Sequence, residues 1–181
     1  MTSIKLVSAG FGGQGVLTLG QMVALMAMKK NLQVSWLPSY GPEMRGGTAN
    51  CHVVVDEHEV GSPLIADGIT HLLALNQPSV EKFIPHCTQD AIIVVHSALT
   101  HPIGVLPTQT LISLDFTKLS QDLGNTKVQN MIALGALVAA IPEFTEEDAI
   151  AAIDEKFGVK SPQLTELNHK ALHLGYASVK K

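Results

Sequence analysis

An apolar run from Ile4 to Ala9 ends in Gly10-Phe11-Gly12-Gly13-Gln14-Gly15 and gives way to an apolar, helix-periodic stretch from Val16 to Met28. That order predicts a buried parallel strand handed over to a helix through a glycine turn, the opening unit of an α/β fold. Backbone N–H groups exposed at such a turn attract anions. Gly10, Gly12 and Gly15 have the spacing of the dinucleotide fingerprint, whose glycines allow a tight turn, close approach of phosphate and close helix-to-strand packing. The fingerprint also requires an acidic residue about 20 residues on, at the end of the second strand. Here the second predicted strand, Gln33 to Leu37, runs into Pro38-Ser39-Tyr40, and the first acidic residue of the chain is Glu43. The sequence therefore argues against an NAD site.

A second glycine-rich turn follows, Ser39-Tyr40-Gly41-Pro42-Glu43-Met44-Arg45-Gly46-Gly47. It sets the fixed cation of Arg45 and two hydroxyls beside pliable backbone, a mixture suited to phosphate or carboxylate. A ligand-free strand-to-helix turn and a surface Arg45–Glu43 pair are the plain alternatives for the two loops.

The remaining pattern stays α/β and then turns helical. Ala49–Val55, His71–Leu75 and Ala91–Val95 read as strands, with a short helix at Ser79–Phe83 and an edge strand at Leu111–Phe116. Val128–Ala140 reads as an apolar helix. Thr145 and Asp148 open a further helix in the manner of a capping box, closed by Gly158, and Ser161-Pro162 begins the last one. The fold class expected is a three-layer α/β/α sandwich, Rossmann-like, with a mostly parallel sheet and an edge hairpin or antiparallel strand. At 181 residues, with no repeat or long linker, residues 1–181 are expected to form a single domain.

Hydrophobic residues make up 46% of the chain and charged residues 15%, an oily balance that leaves apolar surface for partner subunits. A net charge of -4 provides no basic stripe for nucleic acid. The absence of a membrane-length apolar stretch or a signal-like N-terminus predicts a cytoplasmic chain with no membrane contact. Cys51 and Cys87 stand alone, without a C-x-x-C, so neither a cluster nor a cysteine zinc site is expected, and both read as packing residues. Among the eight histidines, His169 and His173 lie one helical turn apart with Glu166 one turn earlier, but the zincin pattern is missing and a half-exposed helix face is the expectation. No metal site and no catalytic residue is predicted.

Gly10-x-Gly12-Gly13-Gln14-Gly15-Val16, followed by Trp36-x-Pro38-Ser39-Tyr40-Gly41-Pro42-Glu43-Met44-Arg45-Gly46-Gly47, resembles the gamma subunit of the 2-oxoacid:ferredoxin (or other acceptor) oxidoreductases. The likeness continues through Gly61-Ser62-Pro63, Asn130-Met131-x-Ala133-Leu134-Gly135-Ala136 and Asn168, Ala171, Gly175 and Tyr176, and so spans nearly the whole chain. The resemblance implies one part of a complex that decarboxylates a 2-oxoacid on thiamine diphosphate, passes electrons through iron–sulfur clusters to ferredoxin and releases acyl-CoA. Alpha, beta and often delta subunits would hold the thiamine and the clusters, since this chain has no Gly-Asp-Gly…Asn signature and no cluster cysteines.

The gamma module in that family is similar to a domain that helps form the coenzyme A site. The positions it implies here are Gly10, Gly12, Gly13, Gln14 and Gly15 in the first turn and Ser39, Tyr40, Gly41, Arg45, Gly46 and Gly47 in the second. The wording of the second loop resembles 2-oxoglutarate or branched-chain members more than fused pyruvate enzymes, and the indolepyruvate oxidoreductase small subunit is related. The alternative readings are an independent NADP- or flavin-binding oxidoreductase and a purely structural assembly module. An oily chain that works in a complex can also form a homodimer when isolated.

Overall fold

The computed structural model describes residues 3–40, 48–158 and 161–180. The chain divides into two compact units, Met1–Leu114 and Asp115–Lys181.

The first unit is built on a six-stranded sheet. Its elements are β1 (Ile4–Phe11), α1 (Val16–Lys29), β2 (Gln33–Tyr40), β3 (Thr48–Asp56), β4 (Ile69–Ala74), α2 (Gln77–Phe83), β5 (Cys87–His96) and β6 (Thr110–Leu114). The strand order is β2-β3-β1-β4-β5-β6. Pairings β1–β4, β4–β5 and β5–β6 are parallel, whereas β3 runs antiparallel to both β1 and β2. Five strands thus point one way and β3 alone is reversed. The antiparallel edge expected from the sequence is the β2–β3 pair.

Strand alternation assigns the two helices of this unit to opposite faces. Ser8 and Cys51 are cross-strand partners, as are Leu6 and Val53, and both Ser8 Oγ and Cys51 Sγ donate to the Val16 carbonyl at the start of α1. That is the α1 face. The buried set Val16, Leu19, Met22, Val23 and Met26 on α1 falls at helical spacing and packs against it. On the other face, Val7, Ala9, Val54, Leu72, Ala74, Ile93 and Val95 form one cluster with Val80 and Phe83 of α2 and with Ile65. Full burial of side chains such as Leu19 or Leu72 contributes about 1.5–3 kcal/mol each.

The second unit holds α3 (Phe116–Asp122), α4 (Gln129–Ala140), α5 (Glu146–Phe157) and α6 (Pro162–Val179). Every residue of α4 from Met131 to Ala139 is buried. Its approach to α6 is as close as backbones allow. A Cβ on Gly135 would collide with the Leu172 carbonyl oxygen, and one on Gly175 with that of Ile132. Those glycines are therefore packing requirements. The capping box at Thr145 is present as the sequence predicts: Thr145 Oγ1 accepts from the Asp148 N–H at 3.2 Å, and Asp148 Oδ2 accepts from the Thr145 N–H at 2.9 Å.

Several bounds depart from expectation: β2 continues to Tyr40, β5 begins at Cys87, and α3 is not among the expected elements. The edge strand predicted at Leu111–Phe116 ends at Leu114, because the Asp115 carboxylate accepts from the Lys118 N–H and starts a helix at Phe116.

Candidate functional site

The first glycine turn is held from three sides. Gln14 Oε1 accepts from the Phe11 N–H at 2.6 Å, Gln14 Nε2 donates to the Leu75 carbonyl at 3.2 Å, and the Gln14 N–H donates to the Phe11 carbonyl at 3.1 Å. Gln14 therefore braces the turn between the ends of β1 and β4, a positioning part more than a ligand-facing one. Gly10 makes room for this brace, since a Cβ there would lie 2.6 Å from Gln14 Oε1 and 3.0 Å from Val16 Cγ1. Gly13 (φ +95°) and Gly15 (φ +76°) are in the left-handed region that side chains disfavour.

The start of α1 carries no side-chain cap. Gly15 occupies the N-cap without a side-chain hydrogen bond, and the first turn contains no acidic residue. Its leading N–H groups have no partner within the helix, and the helix dipole adds partial positive charge. Gly12 and Gly13 lie exposed directly before it.

Strand register brings Ser39, the first residue of the second string, to the same end of the sheet. Gly10 pairs with Ala49, which pairs with Tyr40; Ala9 pairs with Asn50, which pairs with Ser39. The ends of β1 and β2 are therefore two strand spacings, about 10 Å, apart. This is the carboxyl end of the parallel strands, where open α/β sheets bind ligands. Ser39, opposite Asn50, is on the face away from α1. Gly41, Arg45, Gly46 and Gly47 lie outside the described residues, as does the side chain of Tyr40.

Two residues that sequence reasoning did not select sit beside the turn. Leu75 N–H donates to the Ala9 carbonyl at 2.9 Å, and Asn76 follows at once, its Oδ1 accepting from the Ser79 N–H at 2.9 Å. Both side chains are buried, yet Asn76 Nδ2 and Ser79 Oγ have no hydrogen-bond partner among the described residues. The signal was present as Asn76-Gln77-Pro78-Ser79 after a predicted strand, a capping sequence with proline in the first turn.

The histidines of the last helix are divided among separate partners. His169 Nε2 is 2.8 Å from Asp154, His173 Nδ1 is 2.7 Å from Glu146, and Glu166 pairs with Lys170 at 2.7 Å. Among the described residues no group of three metal-ligating side chains occurs. Cys51 is buried, with its thiol pushed up to about 11 by burial, and burial pushes Cys87 to about 12. Neither is poised to react.

The mixed sheet, the braced glycine turn and the uncapped helix start define a Rossmann-like α/β module. The chain belongs to the pyruvate ferredoxin/flavodoxin oxidoreductase family, whose model matches residues 5–178. The ketoisovalerate oxidoreductase subunit VorA of Methanothermobacter marburgensis is 34% identical over 173 residues, which are 95% of this chain and 36% of that relative. The chain thus spans about a third of the length of the VorA relatives it matches. The 2-oxoglutarate synthase subunit KorC of Archaeoglobus fulgidus is 28% identical, over 93% of this chain and 83% of the relative. Among solved structures, the gamma subunit of a keto/oxoacid ferredoxin oxidoreductase from Geobacter sulfurreducens superposes with a TM-score of 0.80 at 27% identity, covering 98% of each chain. A 2-oxoglutarate:ferredoxin oxidoreductase from Magnetococcus marinus, with 2-oxoglutarate, coenzyme A and succinyl-CoA bound, shares the fold at a TM-score of 0.89 and 20% identity, over 99% of this chain and 31% of that one.

Proposed function

We propose that this chain is the gamma subunit of a multi-subunit 2-oxoacid:ferredoxin oxidoreductase, in which it contributes to coenzyme A binding and to assembly. The carrying observation is the uncapped, acid-free start of α1 behind a glycine turn that Gln14 braces. CoA brings a pyrophosphate and a ribose phosphate, and a helix start with exposed Gly12 and Gly13 suits such groups. The buried, unpartnered Asn76 Nδ2 is a further donor beside the same turn, and Arg45 in the second loop is the fixed cation. Bound here, CoA supplies the thiol that accepts the acyl group. The chain's own residues hold its phosphates and orient it.

Thiamine diphosphate and the iron–sulfur clusters belong on partner subunits in this reading. Cys51 and Cys87 are separate and packed, so the residues present do not fit a cluster. Alpha, beta and possibly delta subunits are the proposed partners, with ferredoxin reached through the complex. The family match across residues 5–178 supports treating 1–181 as one functional domain. The complex is proposed to be cytoplasmic; no helix among the described residues is long and apolar enough to cross a membrane.

Arg45→Ala tests the reading in the assembled complex. The expected result is a raised KM for CoA, with subunit stoichiometry on size exclusion unchanged. Unchanged CoA kinetics with lost assembly would assign the loops to the interface instead.

A further inference from the structure

On the sheet face away from α1, a groove of about 410 Å³ opens between the β2–β3 pair and α2. Leu37, Ile65 and Phe83 supply its apolar wall, and Ser39, Asn50, His52, Lys82 and His86 its polar one. Among the described residues no aspartate or glutamate lines it. A neighbouring groove of about 380 Å³ contrasts with it, carrying Asp56, Glu59 and Asp67.

The hydrogen-bonding character of the groove follows from His52. Its Nδ1 lies 3.1 Å from the Ile65 N–H and accepts from it. That bond assigns the ring proton to Nε2, so the nitrogen not taken by Ile65 is a donor. Burial, with Lys82 nearby, lowers the His52 pKa and keeps this tautomer at neutral pH. The ring is held edge-on to Phe83, with centroids 6.4 Å apart, and Lys82 Nζ sits 5.1 Å from the same Phe83 ring. A cation, a fixed N–H donor, an amide and a hydroxyl thus line an apolar floor. Asp67 lies outside that lining, its carboxylate 3.6 Å from His86 Nδ1 at the edge of the groove.

We propose that this groove is a binding site for a small organic carboxylate with an apolar body: Lys82 and His52 donate to the carboxylate oxygens, and Leu37, Ile65 and Phe83 receive the hydrocarbon. The volume falls within the range of small-molecule pockets, and pairing one carboxylate with Lys82 satisfies both partners at a half-open site. The groove shares Ser39 with the positions proposed for coenzyme A, whereas Lys82, His52 and Phe83, which carry the argument, lie outside those positions.

The test uses the isolated full chain at pH 7 and constant ionic strength. Butyrate, its neutral isostere butyramide and inorganic phosphate are titrated while the His52 Nε2–H and Phe83 ring resonances are followed by NMR. Butyrate is expected to give saturable shifts at both residues, weakened about ten-fold in Lys82→Met and largely retained in Lys82→Arg. Lys82 is exposed, so resonances elsewhere should report an unchanged fold. Absence of saturation with butyrate, equal binding of butyramide, or an unchanged affinity in Lys82→Met would overturn the proposal. Tighter saturable binding of phosphate than of butyrate would overturn the carboxylate assignment in favour of a phosphorylated ligand.

Discussion

Gln14 makes the sharpest residue-scale prediction. Its amide satisfies the Phe11 N–H and the Leu75 carbonyl together, so Gln14→Ala should cost about 1–3 kcal/mol in urea unfolding and also raise the KM for CoA in the complex. A glutamine that faced the ligand alone would change the second quantity and leave the first untouched. The histidines give a pH dependence of definite sign. Burial depresses His71 from 6.5 to about 4 and lowers His52 as well. The unfolded chain takes up protons below pH 6.5 that these folded rings refuse. Stability is therefore full above pH 6.5 and is lost as pH falls toward 4, with His71 accounting for about 3 kcal/mol at most. Urea titrations at pH 7.5 and pH 4.5 check it, and His71→Asn should flatten the difference. The thiols follow the same logic, burial pushing Cys51 to about 11 and Cys87 to about 12. Iodoacetamide at pH 8 should modify neither in the native protein and both after unfolding.

Among elements, the α4–α6 crossing is the least tolerant of change. Gly135→Ala or Gly175→Ala drives a methyl group into the facing backbone carbonyl, and overpacking of this kind costs about 1–3 kcal/mol or more. A thermal melt should register either variant well beyond the effect of Thr145→Ala at the α5 cap, which is about 1 kcal/mol. The sequence showed α1, α4 and α6 clearly because their apolar spacing or their caps are local signals. It misplaced the end of β6 because the apolar residues of Leu111–Phe116 continue past Leu114, and the Asp115 carboxylate that stops the strand acts through a bond to Lys118. It also missed the polar beginning of β5, Cys87 to Asp90, which the predicted apolar run from Ala91 did not include. Its pairing begins at Cys87 with Ile69 across an irregular register, a long-range match that no local pattern contains.

For the whole molecule, legibility divides along the same line. Both glycine strings could be read because each is contiguous, and the proximity of the β1 and β2 ends needed the register of β3 with both strands. The groove around His52 and Lys82 could not be read, since its lining is drawn from Leu37 to His86 with no motif joining them. Asn76 and Ser79 lie between these cases, as a capping sequence whose burial is a tertiary fact. The central claim is membership of an assembly whose redox groups sit elsewhere. Its most direct test is anaerobic affinity purification of the tagged chain from its native host, with partners identified by mass and the eluate assayed for CoA-dependent oxidation of 2-oxoacids. Partners bearing thiamine- and cluster-binding motifs, together with CoA-dependent activity, are the predicted result; a lone chain carrying a bound nucleotide and no such partners would contradict it.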